Sequence, residues 1–370
     1  MDFIDLKSQQ KLIREKIAEN IEKVLDHGRY IMGPEIGELE ERLAQYCGVK
    51  HGVGVASGTD ALLISLMAYD VGPGDAIFTT PFTFIATAEV IRLLGATPVF
   101  TDIDSDIFNI DCNRLESDIE RVLKEKKLKP KGIIPVDLFG QPADYDEIER
   151  VAEKYGMFVL EDAAQSFGAD YKDKKACSFG DISATSFFPA KPLGAYGDGG
   201  MVFTDSDEIF EKVVSIRVHG KGSDKYDNIR VGVNGRLDTI QAAILLAKFD
   251  IFAEEVKKRQ KVADNYNRLL EGVVKTPVVK SDRTSAWAQY AMLSSEREKI
   301  LASLKSNGIP VAIYYPIPLH LQKAFFALGY KKGDFPVSEK CADEIFSIPF
   351  HPYLKQEDQE KIADTIKKVI

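Results

Sequence analysis

Apolar residues return along the first fifty positions at helical spacing. Ile13, Ile17, Ile21, Val24 and Leu25 form one stripe, predicting a helix over 8–28. Ile36, Leu39, Leu43 and Cys47 form another over about 35–47, with Gly48 as its stop. The period then changes. His51–Ala56 predicts a strand, Ser57-Gly58-Thr59-Asp60 a small-residue turn, and Ala61–Tyr69 an apolar helix. The alternation continues with strands at 76–81, 97–103, within 132–140 and at 157–164. Helices lie between them at 83–94, about 113–126 and 143–155. Such alternation predicts an α/β fold with a mostly parallel central sheet flanked by helices. Ligands of such sheets bind beyond the carboxyl ends of the strands.

A strand at 199–204 and a helix at 207–218 follow, then a polar loop over 221–237. An apolar helix from Leu237 passes into a highly charged one at 253–271. That shift marks a boundary near 250, between a large domain (1–250) and a smaller C-terminal α+β domain (251–370). Strands are expected in the latter at 273–279, 285–293 and 310–315, and helices at 296–306 and 356–369.

Composition narrows the class. The net charge of −9 over 370 residues argues against a nucleic-acid protein, whose footprint is usually basic. The four cysteines (Cys47, Cys112, Cys177, Cys341) are far apart and form no CxxC, so neither a disulfide framework nor a metal site is expected. The start lacks a charged region followed by an apolar core, and no stretch reaches the roughly 18 apolar residues of a membrane helix. A cytoplasmic protein that binds no membrane is the expectation.

Against that background a few residues carry chemistry. Lys191 follows an apolar run and sits between Pro189 and Pro192, with Gly194, Gly197, Gly199 and Gly200 behind it. Burial there would lower its pKa and leave an amine able to attack a carbonyl. A surface lysine in a glycine-rich loop is the competing reading. Ser57-Gly58-Thr59, between a strand and a helix, can cradle a phosphate or can simply cap the helix. Phe82 and Phe84 end a strand, where an aromatic can stack on a planar ligand or pack in the core. Asp162 ends the apolar strand Phe158–Leu160, where a carboxylate must be paired and would suit a protonated ring nitrogen. His320, in YYPIPLH, reads equally as structural or functional.

Taken in chain order, a phosphate cradle, an aromatic platform, a strand-end carboxylate and a loop lysine are the parts that bind pyridoxal 5'-phosphate. With SGTDAL at 57–62, PFTFIATA at 81–88, EDAAQSFGA at 161–169, SFGD at 178–181, SFFPAKPLGAYGDGG at 186–200, VNGRLDTIQAAI at 233–244 and YYPIPLH at 314–320, the chain resembles the DegT/StrS-type nucleotide-sugar aminotransferases. These are fold-type I pyridoxal-phosphate enzymes, and the likeness covers nearly the whole chain. It implies that Lys191 holds the cofactor and moves protons. It implies that Asp162 partners the ring nitrogen, Gln165 the ring's phenolic oxygen, and Phe84 stacks on the ring. Gly58, Thr59 and Ser186 would hold the phosphate. Asn234 would reach it from the neighbouring subunit of a homodimer with shared sites. Tyr315 and His320 match substrate-side positions.

The implied reaction transfers an amino group from L-glutamate, giving 2-oxoglutarate, to a nucleotide-linked keto-sugar. The form SFFPAKPLG is most similar to relatives acting on UDP-linked 3-keto-2-acetamido hexuronates, in bacterial lipopolysaccharide (O-antigen) synthesis. The alternatives are a 4-aminotransferase on a dTDP- or UDP-4-keto-6-deoxy sugar and a sugar dehydratase. Related dehydratases carry histidine at the lysine position, so Lys191 speaks against the latter. A uronate needs a cation, and Lys221, Lys225 and Arg230 in the polar loop are candidates, although a charge run is usually a solvated face.

Overall fold

The computed structural model describes residues 1–224 and 226–370. It places two helices where the pattern suggested one over 8–28: α1 (Leu6–Leu12) and α2 (Arg14–His27), divided at Ile13. Then come α3 (Pro34–Cys47), β1 (His51–Val55), α4 (Gly58–Ala68), β2 (Asp75–Thr79), α5 (Ala86–Leu93) and β3 (Thr97–Phe100). The series continues with α6 (Cys112–Glu125), β4 (Lys129–Ile134), α7 (Tyr145–Tyr155) and β5 (Phe158–Asp162). A small hairpin, β6 (Asp170–Tyr171) and β7 (Lys174–Lys175), precedes β8 (Ile182–Ser186), β9 (Gly200–Thr204) and α8 (Asp207–Ile216).

Seven strands form the main sheet in the order β1-β9-β8-β5-β4-β2-β3. From β8 to β3 every neighbouring pair is parallel, while β9 runs antiparallel to both β1 and β8. The carboxyl ends of β1, β5 and β8 therefore share one edge, and that edge carries Ser57, Asp162 and Ser186. Alternate residues of each strand face opposite layers, as a pleat requires. Ile77, Leu160 and Val202 pack with α4, α5 and α8. Phe78 and Val159 pack under α6 and α7. Met201 and Phe203 pack with α3 and with α9 (Thr239–Leu270).

The expected change of element at residue 250 does not occur. The 32-residue helix α9 crosses it without a break, because Phe252, Arg259, Val262, Tyr266 and Leu270 continue its buried face beneath the charged surface. Past α9 lie β10 (Ala291–Leu293), α10 (Arg297–Ser306), α11 (Pro336–Glu344), β11 (Ile345–Ser347) and α12 (Gln356–Lys367). Of the three strands expected here only part of the second forms. Segments 273–279 and 310–315 are held by the single bridges Lys275↔Leu293 and Ala312↔Ser347. Pro277 and Pro310 lack the N–H that a longer ladder needs. Val262, Tyr266, Tyr290, Ile300 and Ile362 make a separate core for this part. Among the described residues no helix is long and apolar enough to cross a membrane.

Candidate active site

The cradle is built by three strands closing on one turn. Gly200 pairs with Val55 on one side and Ser186 on the other. A Cβ on Gly200 would lie 2.4 Å from the Ser57 carbonyl, so only glycine lets β9 pass so close. Helix α4 begins at Gly58, three residues earlier than the apolar pattern suggested. Its first turn presents the N–H groups of Gly58 and Thr59, which have no helical acceptor. The next, at Asp60, is taken by Ser57 Oγ at 3.0 Å. Free donors at a helix start, with the helix dipole behind them, suit a phosphate.

Gly58 is itself tightly placed. A Cβ there would meet Ser186 Cβ at 2.6 Å, beside its hydroxyl. Gly58→Ala is expected to destabilise the cofactor-free chain by about 1–3 kcal/mol through overpacking. Denaturant unfolding measures this, and an unchanged midpoint would show that the two turns are not in contact.

Asp162 is buried at the end of β5. Thr87 Oγ1 donates to its Oδ2 at 2.8 Å and the Ala164 N–H to its Oδ1 at 3.2 Å. Burial raises its pKa above the ordinary carboxylate value, and these bonds and the positive charge of Lys191 oppose that rise. Lys191 is half-buried in the loop between β8 and β9, its N–H bonded to the Phe188 carbonyl at 2.8 Å. Burial pulls its ammonium down to about 8, and Asp162 pulls the other way. Each group thus senses the other's charge. A lysine with that pKa is about half neutral at pH 8, whereas an unperturbed one would be well under about 1% neutral.

The polar wall beside them is continuous. Gln165 accepts from the Phe139 N–H through Oε1 at 2.8 Å and donates through Nε2 to the Tyr315 hydroxyl at 3.3 Å. Tyr315 packs on Phe82 and Phe84, its ring 6.4 and 6.3 Å from theirs. Phe84 is 55% exposed, an open platform, whereas Phe82 is core. His320 stands apart from this wall. It is fully buried, Nε2 meets Glu339 Oε1 at 3.0 Å, and its ring packs against Phe335. Burial lowers its pKa against the pull of Glu339.

Asn234 is exposed and pairs through its backbone with Val218. Arg230 is half-buried in the polar loop, beside Gly220, and Lys221 is exposed. Within one chain none of the three bonds to or stacks on Lys191, Asp162, Gln165 or Tyr315. Lys225 lies outside the described residues. Sequence reasoning passed over three residues. Thr87 orients Asp162, and its one signal was a hydroxyl one turn after Phe84. Phe139 orients Gln165 through its backbone. Arg236 pairs with Val55 next to the cradle and has a buried Nε without an acceptor.

A buried carboxylate facing a lysine of lowered pKa, beside a helix start with free N–H groups, fits a phosphorylated carbonyl cofactor. The profile of the DegT/DnrJ/EryC1/StrS aminotransferase family matches residues 11–367. The chain belongs to this family. It is 50% identical over 355 residues to UDP-2-acetamido-2-deoxy-3-oxo-D-glucuronate aminotransferase of Pseudomonas aeruginosa, covering 96% of each chain. The crystal structure of a DegT/DnrJ/EryC1/StrS aminotransferase from Brucella abortus superposes with a TM-score of 0.97 at 48% identity. That match covers 100% of this chain and 99% of the other. NtdA of Bacillus subtilis, solved with its cofactor PMP bound, gives 0.89 at 28% identity over 99% and 83%.

Proposed function

We propose that the chain aminates C3 of a UDP-linked 2-acetamido-2-deoxy-3-keto-hexuronate, with pyridoxal 5'-phosphate as cofactor and L-glutamate as donor. The observation that carries this reading is the electrostatic pairing of the Lys191 amine, its pKa lowered by burial, with the buried Asp162 carboxylate, on the sheet edge that also carries the α4 start. The cofactor, when bound, supplies an electron sink for the pair left as a proton leaves the carbon bearing nitrogen.

The chain's residues do the rest. Lys191 Nζ would hold the cofactor and, once free, take and return the proton, for which it must be neutral. Asp162 keeps the ring nitrogen protonated and is itself aimed by Thr87. With its Oε1 taken by the Phe139 N–H, Gln165 would offer Nε2 to the ring's phenolic oxygen. The N–H groups of Gly58 and Thr59, with the hydroxyls of Thr59 and Ser186, bind the phosphate. Phe84 would cover the ring, and Tyr315 would border the sugar. His320, bonded to Glu339 and packed on Phe335, would act on the substrate side only from behind that wall. Arg230 or Arg236 reads the uronate carboxylate.

The working unit in this reading is a homodimer. Asn234 is free to reach a partner's phosphate, and Tyr30, Ile31, Phe188, Ile229 and Val231 are apolar yet exposed. The separate core around Tyr266 supports a division into domains 1–250 and 251–370, with α9 running between them. The product would feed lipopolysaccharide synthesis in the bacterial cytoplasm.

The test uses purified holoenzyme. Glutamate alone should bleach its visible absorption, and the 3-keto uronate should restore it. Restoration only by a 4-keto-6-deoxy sugar nucleotide would overturn the substrate, and no response to glutamate would overturn the donor.

A further inference from the structure

Lys248 stands in an apolar stretch of α9, Ile244–Phe249, and is only 1% exposed. Lysine is almost never so buried unless something holds its charge. Here its Nζ donates to the Gly194 carbonyl and lies 4.8 Å from the centre of the Tyr196 ring. Gly194 closes the loop that carries Lys191. That loop is wound tightly: Lys191 N–H bonds Phe188 O at 2.8 Å and Ala195 N–H bonds Phe187 O at 2.7 Å. A Cβ on Gly194 would lie 2.5 Å from Pro189 O. The Lys248 contact is therefore a side-chain tie on the exit of a loop with no slack.

The tie is anchored on three sides. Glu255, two turns along α9, attracts Lys248 and is itself held by Gln9 Nε2 at 2.8 Å and by the Tyr353 hydroxyl. Arg259 donates to Trp287 O at 3.0 Å. Lys191, Lys248, Arg259 and His351 border one cavity of ≈ 10 Å³, room for about one water. Gln9 Oε1, Arg259 Nε and His351 Nδ1, on the same cavity, have no protein partner that such a water would not supply.

We propose that Lys248 is a positioning residue for the transfer reaction, holding the Lys191 amine in register with Asp162 through the Gly194 carbonyl. The proposal rests on Lys191 being the reacting amine. The groups facing Lys248 are Glu255 and Arg259 on α9, Tyr196 and Lys191 on the loop, Asp5 from the amino end, and His351 and Tyr353 from the carboxyl end. Burial brings its ammonium down to about 8, with Glu255 opposing and Arg259 assisting. The tie is charged below that pH and weakens above it.

The experiment compares Lys248→Met and Lys248→Arg with the parent holoenzyme. In Lys248→Met, kcat should fall by ~10- to 100-fold, the size expected of a small misplacement. KM for donor and sugar should stay within about twofold, as for an interaction lost from the reacting state. Lys248→Arg, which can still donate to the carbonyl, should recover most of the rate. A second reading needs no substrate. Trace acetylation of the cofactor-free chain across pH should give a Lys191 midpoint near 8. In Lys248→Met that midpoint should move up, since the loop loosens toward water and the burial that lowers it is relieved. A lowered melting temperature with kcat and the Lys191 midpoint unchanged would overturn the proposal. If Lys248→Met does not fold, hydrogen exchange on the parent decides. Protection over 191–195, corrected for the intrinsic rate, must fall as pH passes about 8, and pH-independent protection would overturn the tie. Because the labelling ignores the sugar, it can fail while the substrate assignment stands, and the reverse.

Discussion

Lys191→Ala gives a folded protein that still takes up cofactor but turns over more than ~10³-fold slower, the range for losing a positioned proton carrier. The expectation follows from what surrounds the amine. Lys191 is the lysine whose charge Asp162 senses, and its lowered pKa leaves it about half neutral near pH 8. The cradle at Gly58, Thr59 and Ser186 does not depend on its side chain, so retention of cofactor and loss of rate should separate. Absorbance after desalting reads the first, and steady-state assay with glutamate reads the second. Multiple turnover at the parent rate would remove Lys191 from the mechanism.

Asp162→Asn should cost about 10²–10³ in kcat, as removal of one preorganised charge at a reacting centre does. The shape is kept, and Thr87 Oγ1 still has an oxygen to meet. What disappears is the negative charge opposite the ring nitrogen. A second effect has a defined sign. Asp162 raises the Lys191 pKa, so without it the Lys191 midpoint should fall below about 8. The same acetylation profile records this shift, which is opposite in direction to that expected for Lys248→Met. An unchanged rate and an unmoved midpoint would mean that the two groups do not face each other.

The site was legible where chemistry and chain order coincide. Ser57-Gly58-Thr59, Phe84, Asp162 and Lys191 each lie at or after a strand end, and the common direction of those strands brings their ends to one edge. Gly200 could be picked out as a glycine, but its need for one became visible only once β1 and β8 flanked it. The ties behind the site were not legible. Thr87, the Phe139 backbone and Lys248 act through contacts between residues distant in sequence, and no local period encodes such pairs. The smaller part of the chain misled for a related reason. Segments 273–279 and 310–315 have strand-like composition, but prolines limit each to an isolated bridge. The charge shift at 250 was real, yet charge on the outer face of a helix does not end it.

Helix α9 has a consequence for how length can vary in this chain. Along its ~48 Å it meets one neighbour after another: Thr239 with Gly33, Gln241 with Tyr196, Lys248 with Gly194, Glu255 with Gln9, Arg259 with Trp287 and Tyr266 with Pro349. It serves as a measuring rod, with each mark read by a different part of the molecule. One inserted residue would swing every later mark by roughly 100°, turning Arg259 and Tyr266 away from their stations together. Natural variation in length should accordingly gather in the segments before and after this rod, and not within it.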